Sequence, residues 1–288
     1  MRHIHTIGII GGKGGMGQWF QRFFKSRLNC SVLVSDLDTS LGKEEIAEKC
    51  DLVLLSTPLD AAGKIAEQIG PRLCGDQLLM DLCSQKEKIV TRMLASTCCE
   101  VVGMHPMFGP FTDGIQSQNI VLSPGRGEEG IEWADQLFSR AGATVVRMEA
   151  DLHDQHMAVV QGLTHFISIC FARTLQKMDL HPASVFKMST PIFRINSDII
   201  GRLFAQDPEL YASLIRDNSY VPEVLDSFYR SMQESSSFLL DGSIEKGSGF
   251  ITEIGEFIGE YKKDAMERSN RFLNIIFDRQ EGKDAPDV

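Results

Sequence analysis

The chain has 288 residues, of which 43% are hydrophobic and 24% charged, and its formal net charge is −10. That length is enough for two domains, each with a core of its own. The negative charge disfavours a general affinity for nucleic acid or an anionic membrane surface, since both would be repelled.

The cysteines and the N-terminus bear on location. The seven cysteines are odd in number and show no C-x-x-C spacing, which is typical of reduced thiols in a cytoplasm. The N-terminus runs directly into an apolar pattern without the parts of a secretory signal peptide. No apolar run approaches the roughly 20 residues that cross a bilayer. We therefore expect a soluble cytoplasmic protein with no membrane association.

The first half, residues 1–150, alternates short apolar runs with amphipathic stretches. Helical periodicity is found at Met16–Ser26, Ala61–Ile69 and Gly130–Ala141. Strands that are apolar on both faces and separated by helices indicate a parallel sheet covered on both sides. This is the doubly wound α/β plan of a Rossmann domain. The predicted strands are Ile4–Ile10, Ser31–Ser35, Leu52–Ser56, Gln77–Leu82, Val101–Met104, Asn119–Leu122 and Thr144–Arg147.

The second half, residues 151–279, lacks strand signals and is predicted to be all helical. His153–Met178 is a long stretch that is apolar around much of its circumference, as expected of a helix buried in a domain or an oligomer interface. We therefore predict a C-terminal helical dimerisation domain, and a homodimer. Residues 280–288 form a polar segment, for which we expect a flexible tail.

A glycine-rich turn, Gly12-Lys13-Gly14-Gly15-Met16-Gly17, follows the first predicted strand and opens the first predicted helix. In the G-x-G-x-x-G fingerprint, one glycine makes the turn, one admits a pyrophosphate and one lets helix and strand pack closely. The helix N-terminus offers free N–H groups to the phosphates. Gly12, Gly14, Met16 and Gly17 are therefore candidate residues for binding a nicotinamide dinucleotide.

An acidic residue ends the second strand. Asp36 lies about 20 residues beyond the glycines, where Rossmann proteins bind the ribose 2′-hydroxyl. Asp38 is a nearby alternative, and both could simply solvate a loop. No arginine follows closely to receive a 2′-phosphate, so we expect NAD rather than NADP.

Short polar residues follow the third and fourth strands. They are Ser56-Thr57-Pro58 and, after Asp81, Ser84 and Lys86. Ligands of open α/β sheets lie beyond the carboxyl ends of the strands, so these residues are candidates for lining the cofactor. Alternatively, Ser84 and Lys86 could be a helix N-cap and a surface charge.

A histidine, His105, ends the fifth strand and precedes a loop bounded by proline and glycine. Histidine has the side-chain pKa closest to neutrality and suits proton removal from a hydroxyl. The alternative is a histidine that only hydrogen-bonds the loop backbone.

These motifs together make the chain similar to a known family. The sequence resembles the prephenate dehydrogenases, in particular the dehydrogenase part of the enterobacterial bifunctional chorismate mutase–prephenate dehydrogenases. The resemblance covers essentially the whole chain. Its motifs are Gly11-Gly12-x-Gly14-x-Met16-Gly17, Asp81-Leu82-x-Ser84-x-Lys86, His105-Pro-Met-Phe-Gly-Pro110, His153-Asp-x-x-Met157, Pro191-Ile-Phe-Arg194 and Gly201-Arg-Leu-Phe-Ala-Gln-Asp207.

The resemblance implies an NAD-dependent oxidative decarboxylation of prephenate to 4-hydroxyphenylpyruvate, on the way to tyrosine. It implies that His105 is the base at the C4 hydroxyl and that Ser84 is a polar contact near the reacting centre. It assigns the ring carboxylate of prephenate to Arg202 and places Lys86, Arg194 and His165 in the substrate's neighbourhood. Tyrosine remains open as a feedback inhibitor.

The residues themselves leave alternatives for these side chains. Arg202 suits a carboxylate because guanidinium binds it bidentately, but it could also pair with Asp198 on the surface of one helix. His153, Asp154 and His156 resemble a metal-ligand cluster, yet no second cluster supports them. We expect no metal site.

Other functions remain open at this stage. Arogenate dehydrogenase acts on a substrate with an amino group where prephenate has a keto group. A 3-hydroxyacid dehydrogenase shares the plan but uses a lysine in its helical domain, and Lys177 and Lys187 lie in no such motif. A non-catalytic NAD-binding regulatory protein would not require His105, Ser84 and Arg202 together.

Overall fold

The computed structural model describes residues 3–240 and 242–278. Within it the chain divides into two compact units. The first runs to Thr164 and includes Glu209–Val221, and the second includes His165–Pro208 and continues from Pro222. The strands all lie in the first unit: β1 Thr6–Ile10, β2 Ser31–Ser35, β3 Leu52–Leu55, β4 Leu78–Asp81, β5 Glu100–Pro106, β6 Asn119–Arg126 and β7 Thr144–Arg147.

The strands form one seven-stranded sheet in the order β2-β1-β3-β4-β5-β6-β7. Neighbouring strands are parallel except β5 and β6, which are antiparallel. The seven predicted strands and the doubly wound plan are confirmed, and the predicted parallel sheet includes one antiparallel pair that the sequence analysis did not foresee. Residues 107–118 join β5 to β6 without the crossover helix that a parallel return needs.

Helices cover both faces of the sheet, and each face has its own apolar core. Phe20, Phe24 and Phe138 are fully buried in one core, and Ile46 and Ile69 in the other. The sheet is therefore the rigid base on which loops at the strand ends are held. Its helices are α1 Gly15–Arg27, α2 Lys43–Lys49, α3 Leu59–Ile69, α4 Glu87–Ser96 and α5 Glu129–Arg140.

The long apolar stretch that begins at His153 is not one uniform α-helix. It consists of α6 Ala150–Met157, a π-helical segment Ala158–Leu163 and α7 Thr164–Lys177. By packing, residues 151–164 belong with the sheet, whereas the sequence assigned them to the helical half. The reason is that α6 buries His153 and Asp154 against the first unit. The domain boundary predicted at residue 150 stays a prediction.

The second unit is helical in its described residues. Many of its large apolar side chains are exposed, among them Met188, Ile244 and Phe257. The predicted tail at residues 280–288 lies outside the described part of the chain. The remaining helices are α8 Pro182–Val185, α9 Pro191–Phe204, α10 Pro208–Arg216, α11 Val221–Leu240, α12 Ile244–Ile258 and α13 Tyr261–Asp278, of which α10 packs mostly with the first unit.

One helical run, Ala150–Lys177, is long and apolar enough to cross a membrane by length and composition alone. The sequence analysis expected no run of that kind. Helices at the core of soluble proteins pass the same test, so the run is weak evidence for a membrane. The expected lack of membrane association stays a prediction.

Candidate functional site

The glycine turn lies between β1 and α1, as the sequence predicts. Gly11 has a φ of +80°, a conformation that favours glycine. A Cβ atom on Gly12 would lie 2.5 Å from a methyl group of Val34, and one on Gly17 would lie 2.5 Å from the Gly11 carbonyl oxygen. The fingerprint glycines therefore permit close packing, while the positive φ is at Gly11, which the G-x-G-x-x-G spacing did not single out.

Two features of this turn suit a diphosphate. Gly14 is exposed and has no side chain that would separate the turn from a ligand, and a Cβ atom there would lie 3.3 Å from the Gly11 carbonyl oxygen, which is a tight contact. Helix α1 begins at the next residue, and its first N–H groups have no intrahelical acceptor. Met16 lies in this first turn and is partly buried.

Asp36 follows β2 and lies against the glycine turn. Its Oδ2 accepts a hydrogen bond of 2.8 Å from the backbone N–H of Lys13, and its Oδ1 accepts one from Leu37. Asp38 instead pairs with the Lys13 ammonium at 2.7 Å, in a solvent-exposed ion pair. Of the two acids, Asp36 is the one in contact with the loop backbone.

Residues after β3 reach the same edge of the sheet. The Ser56 carbonyl oxygen and the Thr57 methyl group close the far side of Gly11, and Pro58 precedes α3. Thr57 Oγ1 is buried and has no hydrogen-bond partner among the described residues. A buried hydroxyl without a partner costs free energy, so this atom is suited to a ligand group at the sheet edge.

His105 lies at the end of β5 and is 3% exposed. Because β1 to β5 are parallel, the carboxyl end of β5 is at the same sheet edge as the glycine turn and Asp36. Burial lowers the pKa of His105 well below its usual value, and the neighbouring His153 ring and Lys86 ammonium lower that pKa further. His105 is therefore an unprotonated imidazole at neutral pH.

His105 hydrogen-bonds to a buried histidine of α6, which in turn hydrogen-bonds to a buried carboxylate of the same helix. Its Nδ1 lies 2.9 Å from His153 Nε2, and His153 Nδ1 lies 2.7 Å from Asp154 Oδ1. The sequence analysis named both residues as part of a family motif and as a doubtful metal cluster, and it did not predict their contact with His105. His156, the third member, is exposed and bonds the Leu152 carbonyl of its own helix.

Asp154 also caps helix α4. Its Oδ1 accepts from the N–H of Lys86 at 2.7 Å and its Oδ2 from the N–H of Glu87 at 3.0 Å. Lys86 is the N-cap residue of α4 and lacks a side-chain oxygen that could do this. A helix start with no Ser, Thr, Asp or Asn at its N-cap was the available sequence signal for an acid from elsewhere.

Lys86 differs from both of its predicted roles. Its side chain is fully buried, so it is not a surface charge, and in this structure it is not open to a substrate. Its ammonium ion pairs with Asp81 and donates to the Met104 carbonyl at 3.0 Å. Ser84 is partly buried in the connection from β4 to α4, at the sheet edge where His105 lies.

The remaining candidate residues lie in the second unit. Arg202 is exposed on α9 and forms no ion pair with Asp198, although both lie in the described part of the chain. Arg194, on the same helix, donates to Ser189 Oγ and to the Phe186 carbonyl, both at 3.1 Å. Arg194 therefore stabilises the turn that precedes α9. Burial lowers the pKa of His165, which is partly buried on α7.

Metal-ligand geometry gives no support to a metal centre. Within residues 3–240 and 242–278, no group of three or more His, Cys, Asp or Glu side chains is placed to hold an ion. All seven cysteines lie in this part of the chain and are free thiols.

Comparison with known proteins identifies two domains in order. The model of the prephenate dehydrogenase nucleotide-binding domain matches residues 33–147, and that of the prephenate dehydrogenase dimerization domain matches residues 149–251. The crystal structure of prephenate dehydrogenase from A. aeolicus has the same fold. Its TM-score is 0.70 at 19% identity, covering 92% of this chain and 98% of that one.

Two curated relatives match nearly the whole chain. A probable arogenate/prephenate dehydrogenase of Methanocaldococcus jannaschii is 30% identical over 286 residues, which is 92% of this chain and 64% of that protein. The T-protein of Haemophilus influenzae is 30% identical over 279 residues, which is 97% of this chain and 74% of the T-protein. The resemblance predicted from the motifs is confirmed: the chain belongs to the prephenate dehydrogenase family of oxidoreductases.

Proposed function

We propose that the chain catalyses the NAD-dependent oxidative decarboxylation of prephenate to 4-hydroxyphenylpyruvate, in tyrosine biosynthesis. The observation that carries the proposal is His105, a buried and unprotonated imidazole at the sheet edge that also bears the glycine turn. A base beside a dinucleotide site is what oxidation of a secondary ring alcohol needs. Family membership supplies the substrate class.

The residues present suit NAD. The N-terminus of α1 and the unpartnered hydroxyl of Thr57 offer donors to a dinucleotide, beside the exposed Gly14, which has no side chain. Asp36 offers carboxylate oxygens to ribose hydroxyls and would repel a 2′-phosphate. The A. aeolicus structure of the same fold holds NAD+ with hydroxyphenyl propionate. NAD, when bound, would accept the hydride from C4 of prephenate.

The roles of the chain's own side chains follow from their chemistry. His105 Nδ1 is engaged with His153, so Nε2 takes the proton of the C4 hydroxyl as that carbon becomes a carbonyl. The C1–carboxylate bond then breaks, carbon dioxide leaves, and its electron pair restores an aromatic ring whose phenol oxygen regains the proton. Ser84 is the proposed polar contact at this hydroxyl, and Arg202 the proposed partner of the ring carboxylate.

His105→Asn tests the proposal. Asparagine keeps a polar side chain of smaller volume but has no basic nitrogen, so we expect prephenate turnover to fall at least about 100-fold, the size of a general-base contribution. NADH binding, followed by fluorescence, should stay within about threefold of wild type. His156→Asn, on an exposed histidine of α6, is the control and should retain full activity. Wild-type turnover by His105→Asn would remove the assignment.

Arogenate is the second candidate substrate, because the Methanocaldococcus jannaschii relative is a probable arogenate/prephenate dehydrogenase. Rates with prephenate and arogenate, each with NAD and with NADP, decide between them. We expect kcat/KM to be highest for prephenate with NAD. The same assay with added tyrosine tests for feedback inhibition.

We also propose that the protein works as a homodimer through its helical unit. That unit exposes large apolar side chains, among them Ile244 at 93% and Phe257 at 91%. Apolar surface of this extent in a folded protein marks an interaction site. The matched dimerization domain favours a second copy of the chain as the partner. The seven free thiols agree with the proposed cytoplasmic location.

A further inference from the structure

We infer that His153 and Asp154 are positioning residues that hold the His105 imidazole with its proton on Nδ1, which leaves the Nε2 lone pair for the substrate. The inference rests on the proposed function for the chemical role of His105. The tautomer itself is a property of the resting protein and does not depend on any substrate.

The first step of the argument concerns the charge of Asp154. Its two carboxylate oxygens accept from three N–H groups: those of Lys86 and Glu87 at the start of α4, and Nδ1 of His153. An ionised carboxylate is an acceptor only, and a helix N-terminus favours negative charge. The Asn218 side chain donates to the Asp154 carbonyl at 2.8 Å and fixes the backbone at this residue. Asp154 is therefore held as a carboxylate.

The second step follows the protons along the two rings. Because Asp154 is an acceptor, His153 must carry its proton on Nδ1. Neutral His153 then has a lone pair on Nε2, 2.9 Å from His105 Nδ1. His105 can hydrogen-bond to that lone pair only by donating, so its own proton lies on Nδ1. The other tautomer would place two lone pairs against each other in a buried site.

The third step concerns the charge that His105 gains when it takes a proton. The charged and titratable groups around it are Lys86 and Asp81 from the β4–α4 side, and His153 and Asp154 from α6. Lys86 and Asp81 form an ion pair, and the Lys86 ammonium disfavours a proton on His105. Asp154, reached through His153, is then the negative charge that stabilises an imidazolium at His105, as the acid of a catalytic triad does.

Histidine 15N spectra of the wild-type protein at pH 7.5 test the tautomer directly. The His105 resonances are assigned by their loss in His105→Asn. We expect a protonated Nδ1 and an unprotonated Nε2 for His105, and a protonated Nδ1 for His153. A protonated Nε2 on neutral His105 would overturn the inference, whatever the activity of any variant.

Asp154→Asn, with Asp151→Asn as its matched control, tests the consequence for catalysis. Asp151 lies on the same helix and is exposed. We expect Asp154→Asn to lower kcat at least about 100-fold with KM within about threefold, because the tautomer is no longer enforced. The carboxylate stabilises the protonated base, so its loss should move the acid limb of kcat/KM to lower pH. A purely structural role would leave that limb unchanged.

The outcomes separate the two claims. If His105→Asn is inactive while Asp154→Asn matches Asp151→Asn in kcat and in the acid limb, the positioning role is wrong and the proposed function stands. If His105→Asn retains wild-type turnover, the proposed function fails, and the 15N spectra still decide the tautomer. His153→Gln, which removes the second ring, should reproduce the kcat loss of Asp154→Asn.

Discussion

Lys86 has a fully buried side chain whose ammonium contacts Asp81 and the Met104 carbonyl. Removing one partner of a buried ion pair leaves the other charge without compensation. We therefore expect Lys86→Met to lower the free energy of unfolding of the first unit, which contains the sheet, by roughly 3–5 kcal/mol. Urea unfolding followed by tryptophan fluorescence measures it, because Trp19 and Trp133, the two tryptophans of the chain, both lie in its core.

An exposed lysine provides the control for that change. Lys49 pairs with Glu45 on α2, and their side chains are 56% and 46% exposed. Lys49→Met should cost less than about 1 kcal/mol, since exposed ion pairs contribute little. Asp81→Asn combined with Lys86→Met should be more stable than Lys86→Met alone. Equal stability losses for the two lysine variants would contradict the importance of the buried pair.

At the scale of elements, the glycine turn between β1 and α1 serves both cofactor binding and packing, and substitutions at two of its glycines distinguish these roles. A Cβ on Gly17 would meet backbone atoms of Gly11 and Gly12 at 2.5 and 2.7 Å, whereas one on the exposed Gly14 would have a milder close contact, with the Gly11 carbonyl oxygen at 3.3 Å. We expect Gly17→Ala to lose both stability and NADH binding. Gly14→Ala should lose NADH binding while its urea midpoint falls less than that of Gly17→Ala.

Tryptophan fluorescence in urea and NADH titration measure these two effects on the same samples. Gly109→Ala is the control, since a Cβ there meets no atom within 4 Å. Tight NADH binding by Gly14→Ala would show that the turn does not hold the pyrophosphate. An unchanged urea midpoint for Gly17→Ala would show that the close approach of α1 and β1 is not needed.

The elements of the sheet could be predicted because their signal is local. Ser31–Ser35 and Thr144–Arg147 are predicted with the bounds that the structure has, since each is a short β-prone run between breaks. The antiparallel direction of β6 depends on the connection between β5 and β6, which has no crossover helix, and not on the residues of β6 itself. The π-helical segment Ala158–Leu163 has no periodicity that distinguishes it from α-helix in the sequence.

The residues of the site also divide into those with a local sequence signal and those whose contacts depend on the fold. His105 could be predicted because it directly follows an apolar run and therefore lies at a strand end. Its contact with His153 joins residues 48 positions apart, and no pattern along the chain indicates that pairing. The burial of Lys86 was not predicted, for a related reason. A lysine is rarely buried unless it pairs with an opposite charge, and the sequence does not show that Asp81 is that partner.

At the scale of the whole molecule, the unexplained surface is the apolar side of the helical unit. Helix α12 presents Ile251, Ile254 and Ile258 at helical spacing, and they are 59%, 45% and 42% exposed. A stripe of this kind on a folded helix requires an apolar partner. The proposed partner is a second copy of this chain, in which such helices would bury one another.

Ile254→Lys tests that partner. A charge in the middle of the stripe would have to be desolvated in an interface, so we expect wild type to have twice the mass of one chain at micromolar concentration and Ile254→Lys to have the mass of one. Light scattering after size exclusion measures both. Glu253→Lys, about 100° around the same helix from residue 254, adds the same side chain away from the stripe and should remain a dimer. A monomeric wild type, or a dimer that Ile254→Lys leaves intact, would show that this face of α12 is not where two copies meet.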